Sequence, residues 1–238
     1  MWRTTCVDIE VEDRPFFVFR NITEIYLIES RNFLFSIVIK VVIGKRKMTK
    51  LIYFVTTNDY KFHLAKTAFD HVAKGEYKLV QAKIETPEIQ SVDSAEIALY
   101  SAKWTSERLG KTTVVSDVAF EIMSLNGFPG PFVKYINSWL QPNNILSMLS
   151  NETNREARYI DTLACASPTG ESLAVADVTS GHIVSSSHTP DYKWTVDALF
   201  IPEGHTKTLS DMSDEERDKV WQSNSWLKVV EFIREIDE

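Results

Sequence analysis

Leu51-Ile52-Tyr53-Phe54-Val55 runs directly into Thr56-Thr57-Asn58-Asp59-Tyr60-Lys61, and the fold can be read outward from this junction. The first five residues form an unbroken apolar, β-branched and aromatic run, the pattern of a strand buried on both faces. Thr57-Asn58-Asp59 supplies turn and helix-cap chemistry, after which Leu64, Ala65, Ala68, Phe69 and Val72 recur at helical spacing. The strand–helix alternation then continues. Lys78–Lys83 reads as a second strand and Ala95–Leu109 as a helix carrying Ile97, Ala98, Ala102 and Leu109. Thr112–Ser116 reads as a third strand that ends at Asp117. Beyond an Asn126-Gly127-Phe128-Pro129-Gly130-Pro131 turn, Val133–Leu140 and Asn144–Leu149 look like short helices. Arg158–Ser167 and Ser172–Thr179 look like strands paired across the Pro168-Thr169-Gly170 turn. Ala198–Ile201 is a last strand. Ser213-Asp214-Glu215-Glu216 is a capping box for a helix to about Ser223, and Trp226–Ile236 continues helical. The expected fold class is α/β, a mixed twisted β-sheet flanked by helices.

The strong strand follows Met48, so the expected organisation is an N-terminal extension, residues 1–47, and a folded domain, residues 48–238. Asp8, Glu10, Glu12 and Asp13 argue against a transit peptide, a class poor in acids. Phe33 to Gly44 is apolar but is interrupted by Lys40 and too short to span a bilayer. Two readings of the segment stay open: an extension that precedes the true domain start, or an edge hairpin built from Phe16–Phe19 and Ile25–Ile28.

The 238 residues, 44% hydrophobic and 25% charged, suit one large domain with a short appendage. Lys and Arg number 26 against 33 Asp and Glu, a net charge of −7. Such a balance argues against non-specific binding to nucleic acid or a membrane surface, so attraction for an anionic substrate has to come from a few local cations. Cys6 and Cys165 are too few for a disulfide framework or a cysteine-rich zinc site, and the five histidines lack metal-ligand spacing. Asn21 and Asn151 open Asn-x-Thr triplets, read as chance matches because no secretory signal precedes them. The expected setting is reducing and cytoplasmic.

Glu88, in Pro87-Glu88-Ile89-Gln90, and Asp117, in Val114-Val115-Ser116-Asp117, each close a β-prone run and are expected at strand ends or in the loops that follow. Carboxylates so placed can share a divalent cation, and Mg²⁺ held by carboxylates is a common grip on polyphosphates. The plainer reading is two unrelated surface acids. The Thr56–Lys61 loop opens a helix, where free backbone N–H groups and the helix dipole suit phosphate oxygens; Asn58 can hydrogen-bond such a ligand and Lys61 can neutralise it. A simple helix start with a solvated lysine fits the same residues. Lys134, four residues past Gly130, falls near the start of the next helix, where an anionic ligand would offset its unfavourable interaction with the dipole.

Together these segments resemble the inosine/xanthosine triphosphate pyrophosphatase family, Ham1-like enzymes that hydrolyse aberrant purine nucleoside triphosphates. Thr56-Thr57-Asn58-Asp59-Tyr60-Lys61 matches the family's Thr-Gly-Asn-x-x-Lys loop, and Pro87-Glu88-Ile89-Gln90 its acidic segment. Val114-Val115-Ser116-Asp117 resembles the strand ending in the catalytic Asp, followed by Leu125-Asn126-Gly127-Phe128-Pro129-Gly130-Pro131-Phe132-Val133-Lys134. Trp194-Thr195-Val196-Asp197 loosely matches the family's Phe-Gly-Trp-Asp, with Phe200-Ile201-Pro202-Glu203-Gly204 in register and Asp211-Met212 before the capping box. The resemblance implies a central cleft, a homodimer, and Mg²⁺-dependent attack of water on the α-phosphorus of a nucleoside triphosphate, yielding the monophosphate and pyrophosphate. Glu88 and Asp117 would hold the metal, with Asp117 also orienting or deprotonating the water. Thr56, Asn58, Lys61, Lys134 and Arg217 would bind the substrate's phosphates; Trp194 would stack on the base and Asp197 would bond its edge. The departures are Thr57 for the loop glycine, Leu64 for an acid one turn past the lysine, Ser101 for a lysine of the second helix, and Ser116 for the acid before Asp117. Trp221-Gln222-Ser223 also stands where the family carries its purine-reading Ser-His-Arg. They leave a second reading, a catalytically silent homologue that binds nucleotide or a protein partner.

Overall fold

The computed structural model describes residues 5–11, 14–21, 24–29, 38–42, 49–87, 89–186, 191–221 and 224–237. They fall into two compact units, Met1–Met48 and Thr49–Glu238. In the first, β1 (Thr5–Val11), β2 (Arg14–Asn21), β3 (Glu24–Glu29) and β4 (Val38–Val42) form their own antiparallel sheet in chain order. The two runs expected as an edge hairpin do pair, with Phe17 opposite Ile28 and Phe19 opposite Tyr26. They are the inner strands of this separate sheet and not the edge of the larger one.

The second unit is α/β. Its order is β5 (Lys50–Val55), α1 (Asp59–Ala73), β6 (Tyr77–Ala82), α2 (Ser94–Leu109), β7 (Thr113–Ile122), β8 (Pro129–Gly130), α3 (Val133–Trp139), α4 (Pro142–Met148), β9 (Glu156–Ala166), β10 (Ser172–Ile183), β11 (Phe200–Pro202), α5 (Asp214–Val220) and α6 (Ser225–Asp237). The sheet runs β11-β10-β9-β7-β5-β6, with β8 against β7. β5 is parallel to β6 and β7, whereas β7, β9, β10 and β11 alternate antiparallel, so the sheet is mixed.

Alternation along β5 sends Ile52 and Phe54 to one face, against Ala65 and Phe69 of α1 and Trp226, Val229, Val230 and Ile233 of α6. Val55 points the other way, joining Ala98 and Ala102 of α2 with Ala164 and Ala166 of β9. Those small residues let α2 lie close to the sheet. A further core, with Phe120, Ile122, Tyr159 and Phe200, gathers where α3 and α4 cover the far half of β7 and β9.

Two expectations are corrected. The third strand does not stop at Ser116: β7 runs to Ile122 because Phe120 and Ile122 are fully buried and Asp117–Ile122 pairs residue for residue with Thr162–Ala157 of β9. Asp117 is therefore interior to a strand, not at its end. The last strand begins at Phe200 and not Ala198, since Trp194 and Val196 carbonyls accept from the Ala198, Leu199 and Phe200 amides in successive tight turns.

Candidate active site

The site begins where β5 ends. Tyr53 and Phe54 pair with Thr113 and Val114, after which the chain leaves the sheet at Thr56 while β7 continues. Asn58 caps α1 with its side-chain oxygen, which accepts from the Tyr60 amide at 3.0 Å and the Lys61 amide at 3.1 Å. Two of the amides expected to greet a phosphate are therefore already taken by Asn58. The Thr56 hydroxyl accepts from the Asn58 amide at 3.2 Å, which shapes the turn. Thr57 is exposed and does not have a positive φ, so its replacement of the family glycine costs no backbone strain.

Lys61, in the first turn of α1, reaches over the section of β7 that outruns β5. Its ammonium donates to the Ser116 carbonyl at 3.0 Å. Burial depresses its pKa, Asp117 and Asp161 act to raise it, and Lys134 acts to lower it. Lys61, Lys134, Asp117 and Asp161 thus share one electrostatic neighbourhood.

Register fixes the carboxylates. Asp117 lies opposite Thr162, whose hydroxyl is 2.9 Å from that of Ser94 at the start of α2. Asp161 lies opposite Val118 on β7 and Asp177 on β10, so alternation places it on the sheet face opposite that of Asp117. Burial raises the Asp161 carboxyl to about 6, with Lys61 acting downward and Asp177 and Asp117 adding to the rise. Sequence reasoning did not single out Asp161, which stands between Ile160 and Thr162 before the chain turns apolar at Leu163.

The Gly-Pro turn supplies Lys134. Gly130, at φ 59°, pairs with Phe120, and Phe128 accepts from the Ile122 amide, folding the turn back onto the end of β7. Val133 and Ile136 anchor α3 in the core, and the Lys134 ammonium lies 5.8 Å above the Tyr135 ring. The helix also holds the next segment: the Asn137 side chain accepts from the Val196 amide at 3.1 Å, and the Thr195 hydroxyl donates to the Leu140 carbonyl at 2.7 Å.

That segment brings in Trp194 and Asp197. Asp197 accepts from the Tyr159 hydroxyl. Burial raises its pKa, while the Tyr159 bond, Arg217 and Lys193 act to lower it. Tyr159 packs edge-on against Phe200 at 5.4 Å and against Trp221 at 5.3 Å. Trp221 thus packs on the ring whose hydroxyl holds Asp197. Arg217, on α5, pairs with Asp214, and the α5 capping box forms as the sequence predicts, with Ser213 and Glu216 bonding each other's backbone amides. Glu88, Gln222 and Ser223 lie outside the described residues. Ser101 is buried in α2, and Lys103 faces outward.

Lys61, in the turn shaped by Thr56 and Asn58, thus lies within the electrostatic influence of Asp117, Asp161 and Lys134, and Asp197, three residues after Trp194, within that of Arg217 and Lys193. Among the described residues, no three His, Cys, Asp or Glu side chains converge to cage a metal, and no helix is long and apolar enough to cross a membrane.

The fold and this arrangement define an α/β protein in which a capped strand-to-helix loop delivers a half-buried lysine to a strand that carries Asp117. Residues 52–224 match the model of the Ham1 family, and the chain belongs to that family. It is 31% identical over 169 residues to the dITP/XTP pyrophosphatase of Methanopyrus kandleri, covering 71% of this chain and 88% of the relative. The inosine triphosphate pyrophosphatase of Candida glabrata is 31% identical over 142 residues, 58% of this chain and 73% of that one. Among solved structures, the Staphylococcus aureus Ham1 protein superposes with a TM-score of 0.64 at 20% identity, covering 79% of this chain and all of that one. A dITP/XTP pyrophosphatase from Mycobacterium abscessus superposes at 0.60 with 22% identity, covering 71% of this chain and 93% of that one.

Proposed function

We propose that the protein hydrolyses nucleoside triphosphates, aberrant purine nucleotides among them, to the monophosphate and pyrophosphate. The observation that carries this reading is the half-buried Lys61, its ammonium held on the Ser116 carbonyl and within electrostatic reach of Asp117, Asp161 and Lys134. A partly desolvated cation near carboxylates is placed to receive phosphate oxygens next to a base. Family membership, with pyrophosphatases as relatives, supports the same chemistry.

The residues then take these roles. Lys61, Lys134 and Arg217 bind the triphosphate, while Thr56 and Asn58 shape the loop beneath it. Asp117 orients a water and takes its proton as the water oxygen bonds to the α-phosphorus. The bond from that phosphorus to the α–β bridging oxygen breaks, and pyrophosphate leaves. Lys61 offsets the charge that builds on the phosphate oxygens during the step. Mg²⁺ takes one or two carboxylates and fills its remaining positions with water and phosphate. Glu88 and Asp117 would hold it, and when bound it supplies charge neutralisation on the phosphates.

The test is pyrophosphate release from a panel of nucleoside triphosphates with Mg²⁺. Turnover is expected, and Asp117→Asn should lower kcat by about a thousandfold, the scale of losing a positioned general base. A folded sample that turns over no triphosphate would overturn the reading.

A further inference from the structure

Resting on that reading, we infer that Asp161 and Asp177 together grip the substrate's ribose by its hydroxyls, so that the protein prefers ribonucleoside to 2′-deoxyribonucleoside triphosphates. The carrying observation is their place on the sheet. Asp161 of β9 lies directly opposite Asp177 of β10 on one side and Val118 of β7 on the other. Alternation puts all three on one face. On that face Leu163, two residues after Asp161, belongs to the core that α1 and α6 cover, and Tyr159, two residues before it, to the core that α3 and α4 cover. The acid pair thus occupies the row where one apolar core ends and the next begins. Leu163 and Tyr159 are buried, whereas Asp161 and Asp177 are only half-buried, so water still reaches the floor between the two cores.

The rows on either side follow the order of a nucleotide's own parts. In one neighbouring row, Leu163 lies opposite Ser116, whose carbonyl holds the Lys61 ammonium that receives the phosphates. In the other, the Tyr159 hydroxyl holds Asp197, three residues past the exposed Trp194, where the base lies in this reading. Successive rows on one face are about 7 Å apart. The group between phosphates and base, the ribose, therefore comes over Asp161 and Asp177. Carboxylates facing each other across a strand pair repel. Burial lifts the Asp161 carboxyl to about 6, with Asp177 and Asp117 adding to the rise and Lys61 acting against it. Hydroxyl donors relieve that repulsion, and each carboxylate can accept several of them. A cation would relieve it too, but it would be held against the Lys61 ammonium, which already acts on Asp161. A sugar brings donors without charge.

The experiment compares ribo and deoxyribo forms of one base on the full chain with Mg²⁺. Pyrophosphate release gives kcat/KM for ITP against dITP and for GTP against dGTP. Calorimetry gives Kd for the non-hydrolysable α,β-methylene analogues of the same four. The ribo forms are expected to be favoured by about thirtyfold, the scale of a hydrogen bond to a charged acceptor. In the double variant Asp161→Asn with Asp177→Asn, which keeps the side-chain shapes, the preference should fall to about threefold. Equal values for the two sugars in the unaltered protein would overturn the inference, whether or not the variant folds. So would a preference that survives intact in the double variant, because a merely structural role weakens both sugars alike. A ribo preference in Kd without turnover of any natural triphosphate would leave the ribose grip standing and remove the pyrophosphatase reading. Turnover with no sugar preference would do the reverse.

Discussion

Asp161 is the residue whose chemistry is most exposed to pH. Burial lifts its carboxyl to about 6 in the folded protein, above the ordinary 3.8 of an unfolded chain. The native state therefore binds a proton between those two values that the unfolded state does not, and stability from this group rises as pH falls from about 6 towards 4. Above that window the charged, buried carboxylate is a burden despite Lys61 beside it. Asp161→Asn should accordingly raise the melting temperature at pH 8 in metal-free buffer, and the gain should shrink as the pH drops to 4.5. A gain that persisted at low pH would mean that packing and not charge was responsible. This residue also marks the limit of what could be read in the chain. Lys61 and Asp117 announce themselves, one at a helix start and the other after an apolar run. Asp161 sits among Arg158, Tyr159, Ile160 and Thr162, a mixture that suits any half-exposed strand. Only its register opposite Val118 and Asp177 brings it near Lys61.

Among the elements, β10 and β11 are joined at a point where no side chain fits. A Cβ added to Gly181 would lie 2.2 Å from the Ile201 carbonyl oxygen and 2.6 Å from the Phe200 ring. Neither neighbour can yield cheaply: one is backbone, and the other is a fully buried ring packed on Phe120 and Tyr159. Gly181→Ala should cost about 3 kcal/mol, near the top of the usual overpacking range, measured by urea unfolding. It should also weaken nucleotide binding, because β11 follows directly on the turns that carry Trp194 and Asp197. A neutral result would show that β11 can detach without consequence. Elements with strong local signals, such as β5, α1, β9 and the α5 capping box, were legible within a residue or two, whereas β10 starts as expected at Ser172 but runs four residues past Thr179 to Ile183. The far half of β7 and the start of β11 were not legible. An acid at position 117 looks like a strand terminus until β9 is seen to pair along the whole length, and Ala198-Leu199 looks like strand until its carbonyl partners show tight turns.

At the scale of the molecule, the alternation of strands and helices after Met48 made an α/β sheet legible. The sequence did not carry the arrangement in which β7 joins a parallel half to an antiparallel half, because strand order depends on distant pairings that leave no local trace. The division of the chain bears on what residues 1–47 do. The Ham1 match spans residues 52–224, within the second unit. The four N-terminal strands satisfy one another in a sheet of their own, with each of β2 and β3 paired on both sides. We therefore propose that the pyrophosphatase-like unit is independent of the first. A chain starting at Met48 should melt in one cooperative transition at the melting temperature of the full chain's main transition, and its kcat and KM for a nucleoside triphosphate should match those of the full chain. A truncated chain that folds with intact near-UV dichroism but loses turnover would place part of the working site in residues 1–47. One that fails to fold would show that the N-terminal sheet stabilises the second unit.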